Sequence, residues 1–100
     1  LIVIEERERH RVRQMFTEIN PDEKTLVFCA NQEHALLVRD IINQESVGRP
    51  SDYCVRVTSD DGSIGDMYLE QFKDNEKSLP TIVTTSQKLR IAVIKNKSMP

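Results

Sequence analysis

A chain of 100 residues holds one small domain or part of one, and 38% hydrophobic with 30% charged residues is an ordinary globular balance. Its formal charge of −2 gives no overall attraction to nucleic acid or to an acidic membrane surface, so any DNA contact must be local. No apolar run approaches the roughly 20 residues of a membrane span. The opening Leu-Ile-Val-Ile is too short and wrongly flanked for a signal peptide, and the cytoplasm is the expected compartment.

Leu1–Ile4 is an apolar run with no partner of its own, read as the tail of a preceding segment. With no initial Met, the chain reads as a piece of a longer product. Residues Glu5 to Asn20 predict a helix with Val12, Met15, Phe16 and Ile19 on one face. Its arginines, Arg7, Arg9, Arg11 and Arg13, form a basic strip, but glutamates interleave with them, which suits a solvated face better than a nucleic-acid surface. Asn20-Pro21-Asp22 ends this helix, since the residue before a proline is pushed out of the helical region. Thr25–Ala30 then reads as a buried strand, Asn31 as a cap, and Gln32–Gln44 as a helix burying Ala35, Val38, Ile41 and Ile42.

The loop Glu45–Asp52 leads to a second strand, Tyr53–Thr58. A turn at Ser59–Gly62 opens a third helix over Ser63–Phe72, with Ile64, Tyr68 and Phe72 as its apolar stripe. After a polar loop, Pro80 introduces a third strand, Thr81–Thr85. Ile91–Ile94 either pair as a fourth strand or fray. Helices alternating with strands predict an α/β fold, a parallel sheet in three layers with helices on both sides.

Little here suits catalysis. Cys29 and Cys54 fall within predicted strands and read as small core residues, because neither His10 nor His34 is placed to complete a metal site with them. Asp60, Asp61 and Asp66 lack the alternating oxygen ligands of a calcium loop and read as turn and cap residues. There is no nucleotide-binding glycine loop, no nucleophile elbow and no Cys/His pair, so no catalytic or metal-binding residue is assigned. Ligands of open parallel sheets collect at the carboxyl ends of the strands. Those ends are Cys29-Ala30-Asn31, Thr58-Ser59-Asp60 and Thr84-Thr85-Ser86-Gln87, whose hydroxyls, amides and main-chain N–H groups suit phosphate oxygens.

At these strand ends the sequence resembles a known family. KTLVFCANQEHALLVRDIINQ and YCVRVTSDDGSIGDMYLEQFKDNEKSLPTIVTTSQKL, and more broadly residues 5 to 89, are similar to the R (restriction) subunit of type I restriction-modification enzymes. That subunit is a superfamily 2 helicase-like DNA translocase joined to an endonuclease. The matching part resembles the second of its two RecA-like motor domains, with TLVFCAN similar to helicase motif IV and TIVTTSQKL to the first half of motif V. The resemblance implies a partial RecA-like domain at residues 21–89, a lead-in helix at 1–20 and a divergent tail at 90–100. It also implies DNA-phosphate contacts from Thr84, Thr85 and Ser86, and more weakly from Asn31.

In such motors the ATP phosphates and Mg²⁺ are held by the first motor domain, so ATP and Mg are implied for the parent and no cofactor for this piece. The implied partners are DNA, the rest of the R subunit, and the methylation and specificity subunits. After Leu89 the family continues with a Gly-x-Asp turn and then an arginine-bearing motif VI, whereas here the chain reads RIAVIKNKSMP. Such a departure inside motif V suggests a reading-frame change or a truncation, and ATP hydrolysis by this piece alone is expected to be absent because the arginine finger is worth orders of magnitude in rate. An alternative is a free-standing interaction module that competes with the full R subunit for its partners. A phosphate-accepting receiver or a flavin binder is disfavoured, because Cys29-Ala30-Asn31 offers neither acidic residues nor a hydroxyl-rich loop.

Overall fold

The computed structural model describes residues 2–86 and 97–99. Helix α1 (Ile2–Glu18) is followed by strand β1 (Thr25–Cys29), helix α2 (Gln32–Glu45) and strand β2 (Cys54–Arg56). A 3-10 turn (Ser59–Asp61) leads into helix α3 (Gly62–Lys73), strand β3 (Ile82–Ser86) and strand β4 (Lys97–Met99). The four strands form one sheet in the order β2-β3-β1-β4. All pairings are parallel, with Thr25 to Cys29 opposite Ile82 to Ser86, Cys54 to Arg56 opposite Ile82 to Thr84, and Thr25 to Val27 opposite Lys97 to Met99.

This order puts helices on both faces. From β1 the chain passes over β3 to reach β2, then steps back to β3, and two right-handed crossovers running in opposite directions place α2 and α3 on opposite sides. The period of two along β1 serves both layers. Cys29 and Val27 pack with Val12, Val38, Ile41 and Ile82 on the α1–α2 side, while Leu26 and Phe28 pack with Val55, Phe72 and Val83 on the α3 side.

The observed elements refine several expectations. The expected lead-in helix begins at Ile2, so residues 2–4 of the opening apolar run belong to its first turn, and it ends at Glu18. Asn20 instead shapes the following turn, its side-chain oxygen accepting from the Asp22 N–H at 2.9 Å. On α3, Ile64 is 61% exposed and is not part of the buried stripe, which runs through Gly65, the half-buried Tyr68 and Leu69, and Phe72. A Cβ at Gly65 would lie 2.9 Å from Asp61 Cβ, so glycine lets α3 approach the preceding turn. The sheet has a fourth strand at Lys97–Met99, whereas the Ile91–Ile94 segment proposed for pairing lies outside the described residues.

Strand β2 lies at one edge of the sheet, where an unpaired main chain invites association. The Asn43 side chain, projecting from α2, meets that edge like a short strand. Its Oδ1 accepts from Cys54 N–H at 3.1 Å and its Nδ2 donates to Cys54 O at 3.0 Å. Tyr53, 1% exposed, donates its hydroxyl to Pro21 O at 2.5 Å, and Arg49 stacks 4.6 Å over its ring while pairing with Asp22 at 2.8 Å. These contacts join the turn after α1 to the loop before β2.

Candidate nucleic-acid interface

The end of the sheet predicted to meet phosphate is built first by the turn from β1 into α2. Asn31 is extended (φ −158°, ψ −178°), so its side-chain oxygen accepts the His34 N–H at 2.8 Å and its carbonyl accepts Ala35 N–H at 2.9 Å. Its side-chain N–H groups have no partner among the described residues, and Asn31 is exposed. The next residue, Gln32, donates from Nε2 to Ser59 Oγ at 3.2 Å and so ties this turn to the one after β2.

Arg56 organises the neighbouring strand end. It grips Asp61 with two bonds, Nη2 to Oδ1 at 2.7 Å and Nε to Oδ2 at 3.2 Å, and extends Nη1 to Gln32 O at 3.3 Å. Asp61 Oδ2 also accepts from Thr58 N–H and Thr58 Oγ1, both at 2.8 Å. Burial by itself would raise the Asp61 pKa, but the hydrogen bonds from Arg56 and Thr58 outweigh it and hold the carboxyl below its ordinary range. Asp61 is therefore committed to capping the turn, and among the described residues no group of three or more His, Cys, Asp or Glu side chains could hold a metal ion.

The third strand end carries Thr84, Thr85 and Ser86. Thr84 faces α2, fully buried, and donates its hydroxyl to Ala35 O at 2.9 Å. Thr85, equally buried, donates to Ser86 O at 3.2 Å. Ser86 is 5% exposed and sits opposite Cys29 in the sheet. Of the four residues expected at phosphate, Asn31 is thus at the surface, Ser86 is just beneath it, and the two threonines lie below with their protons already donated to main chain.

Beside this end, α1 and the sheet enclose a groove of about 420 Å³, lined in part by Glu8, Val12, Met15, Val27, Cys29 and His34. Burial, with a smaller contribution from the Glu8 charge, pushes the Cys29 thiol up to about 12, and burial raises Cys54 further. Both remain protonated at neutral pH and are poor nucleophiles. The basic strip of α1 is largely engaged. Arg9 and Arg13 both reach Glu45 at the far end of α2, at 2.9 and 2.8 Å, and these contacts hold the Glu45 carboxyl below its ordinary pKa.

Sequence reading gave Arg56, His34 and Glu8 no role at this end. Arg56 reaches Asp61 and Gln32, 5 and 24 residues away, and His34 meets Glu8, 26 residues away; the only sequence signal was an arginine in the otherwise apolar run YCVRVT.

No family model matches the chain. It is 36% identical over 77 residues to the endonuclease subunit of the Escherichia coli type I restriction enzyme EcoAI, a match covering 74% of this chain and 9% of that subunit. The fold superposes with a TM-score of 0.72 and 35% identity on a solved fragment assigned as the HsdR subunit of a type I restriction enzyme from Vibrio vulnificus. That superposition covers 86% of this chain and 18% of the other. Together with the parallel sheet and its flanking helices, these matches make the fold a partial RecA-like α/β domain. The chain belongs to the R subunits of type I restriction enzymes, of which it spans a small part.

Proposed function

We propose that this chain contributes to the DNA-translocating, ATP-dependent motor of a type I restriction enzyme R subunit, as part of its second RecA-like domain. The observation that carries this reading is similarity to an R-subunit structure over 86% of the chain, beside a parallel sheet whose carboxyl ends would face DNA. Asn31 supplies an outward amide, and Ser86 a hydroxyl, where a backbone phosphate would pass. Thr84 and Thr85 act chiefly from below, Thr84 fixing β3 against α2 and Thr85 bonding within the end of its own strand, with lone pairs left for a secondary contact. ATP and Mg²⁺ would be held by the rest of the R subunit, so the chain alone hydrolyses no ATP. Its partners would be that remainder, the methylation and specificity subunits, and duplex DNA, in the cytoplasm. Among the described residues no helix is long and apolar enough to cross a membrane.

The test is binding of the purified chain to a short DNA duplex at several salt concentrations, beside Asn31→Ala and Ser86→Ala variants. Affinity should fall linearly in log–log form with salt, and each variant should weaken binding a few-fold without loss of fold. A folded chain with no salt-dependent affinity would overturn the DNA-facing role.

A further inference from the structure

We propose that His34 is a positioning residue for the β1–α2 turn and that α1, through Glu8, holds it there, so that the turn follows the position of α1. The inference rests on reading that turn as part of the DNA-facing end. Ala30 is the first residue beyond β1, and its N–H has left the strand ladder to donate to His34 Nδ1 at 3.0 Å. With Nδ1 acting as acceptor, the ring proton is on Nε2, which donates to Glu8 Oε1 at 2.9 Å. The His34 main-chain N–H meanwhile donates to Asn31 Oδ1. One residue therefore holds both Ala30 and Asn31, and its ring leads directly to a carboxylate on α1.

Glu8 is well placed to serve as the fixed end. Its side chain is 5% exposed, and Arg7 and Arg11 approach its other oxygen at 3.6 and 3.5 Å, balancing a buried charge that would otherwise be costly. A buried glutamate on a helix whose polar residues otherwise face water or Glu45 needs a partner, and the imidazole supplies it. The opposite end of α2 is tied to the same helix through Arg9, Arg13 and Glu45. Helix α1 thus grips α2 at both ends, and only the first of these grips reaches the main chain of the turn.

The test uses the full chain with Glu8→Leu, Glu8→Gln, His34→Leu and His34→Gln variants, reading amide exchange at Ala30 by NMR with Ile41 as internal control. A glutamine at 34 can present one acceptor and one donor as the imidazole does. Both leucine variants should speed Ala30 exchange by about tenfold, while the glutamine variants stay near the native rate and Ile41 is unchanged. The imidazole nitrogen-15 spectrum should show a single Nε2-protonated form that becomes a tautomer mixture in Glu8→Leu. Unaltered Ala30 exchange in Glu8→Leu, or an equal change at Ile41, overturns the coupling. Duplex affinity that falls in the leucine variants and recovers in the glutamine ones supports the link to the site. Unchanged affinity despite faster exchange overturns that link. If the native chain binds no DNA, the reading of the site fails on its own and exchange at Ala30 still decides the coupling.

Discussion

On the α1–α2 side of the sheet, two helices and three strands share one apolar cluster, and α2 is packed along its length from Ala35 to Ile42. On the other side α3 works alone. It buries Phe72 and the glycine Gly65, while Ile64 and Met67 are 61% and 47% exposed. What α3 lacks in apolar contact is made up at its ends. Asp61, held by Arg56 and Thr58, closes its start. At its finish, Lys24 Nζ donates to Phe72 O at 2.6 Å and lies 5.3 Å from the Phe72 ring. One face is therefore fixed by shape and the other mainly by Phe72, the one fully buried side chain of α3, between two charged clamps, so the two should respond differently to substitution and to pH.

The largest effect is expected at that aromatic residue. Phe72 is fully buried, and truncation removes both the centre of the α3 cluster and the ring beneath Lys24. Phe72→Ala should lower stability by about 3–5 kcal/mol in urea or thermal unfolding. A loss below about 1 kcal/mol would show that the α3 layer contributes no core of its own.

Next comes the clamp at the start of α3. The Asp61 carboxyl is held below its ordinary value of 3.8, so its contribution is fully present above that pH and disappears as the pH falls through the lowered folded value. Asp61→Asn should cost about 1–3 kcal/mol at pH 7, because Arg56 loses its charged partner and Thr58 one acceptor. The variant should also lose less stability than the native chain between pH 5 and pH 3. Unfolding measured at both pH values decides this, and parallel losses in the two proteins would place the acid sensitivity elsewhere.

The same contrast explains what could be read from the sequence. The β1–α2 unit was legible because local signals agree there: an apolar strand, a capping asparagine and a helical stripe of Ala35, Val38, Ile41 and Ile42 all serve the same packing. The inward face of α3 was misjudged because Gly65 buries a position without contributing a side chain to the hydrophobic pattern, and Ile64 drew the stripe one residue aside. Thr84 and Thr85 were recognisable as a strand end with hydroxyls. Which hydroxyl points into α2 depends on strand register, which the sequence does not carry. Lys24, Arg56 and the Glu8–His34 pair were missed for one reason: each acts on a partner brought close only by the fold, 24 residues away for Arg56 and Gln32, and 48 for Lys24 and Phe72.

The smallest expected effect is the sharpest check on the outward face of α3. If Ile64 and Met67 face water, as their exposure indicates, Ile64→Ser and Met67→Ser should each change stability by no more than about 0.5 kcal/mol, a small fraction of the Phe72 effect. Both residues lie on the same helix as Phe72, so the comparison holds helix length and end clamps constant and varies only the side facing the sheet. Urea unfolding of the two serine variants at low and high protein concentration is the measurement. A concentration-dependent loss above 1 kcal/mol would mean that two copies cover this face in solution. A concentration-independent loss of that size would mean instead that the helix is rotated and that Ile64, not Gly65, meets the sheet.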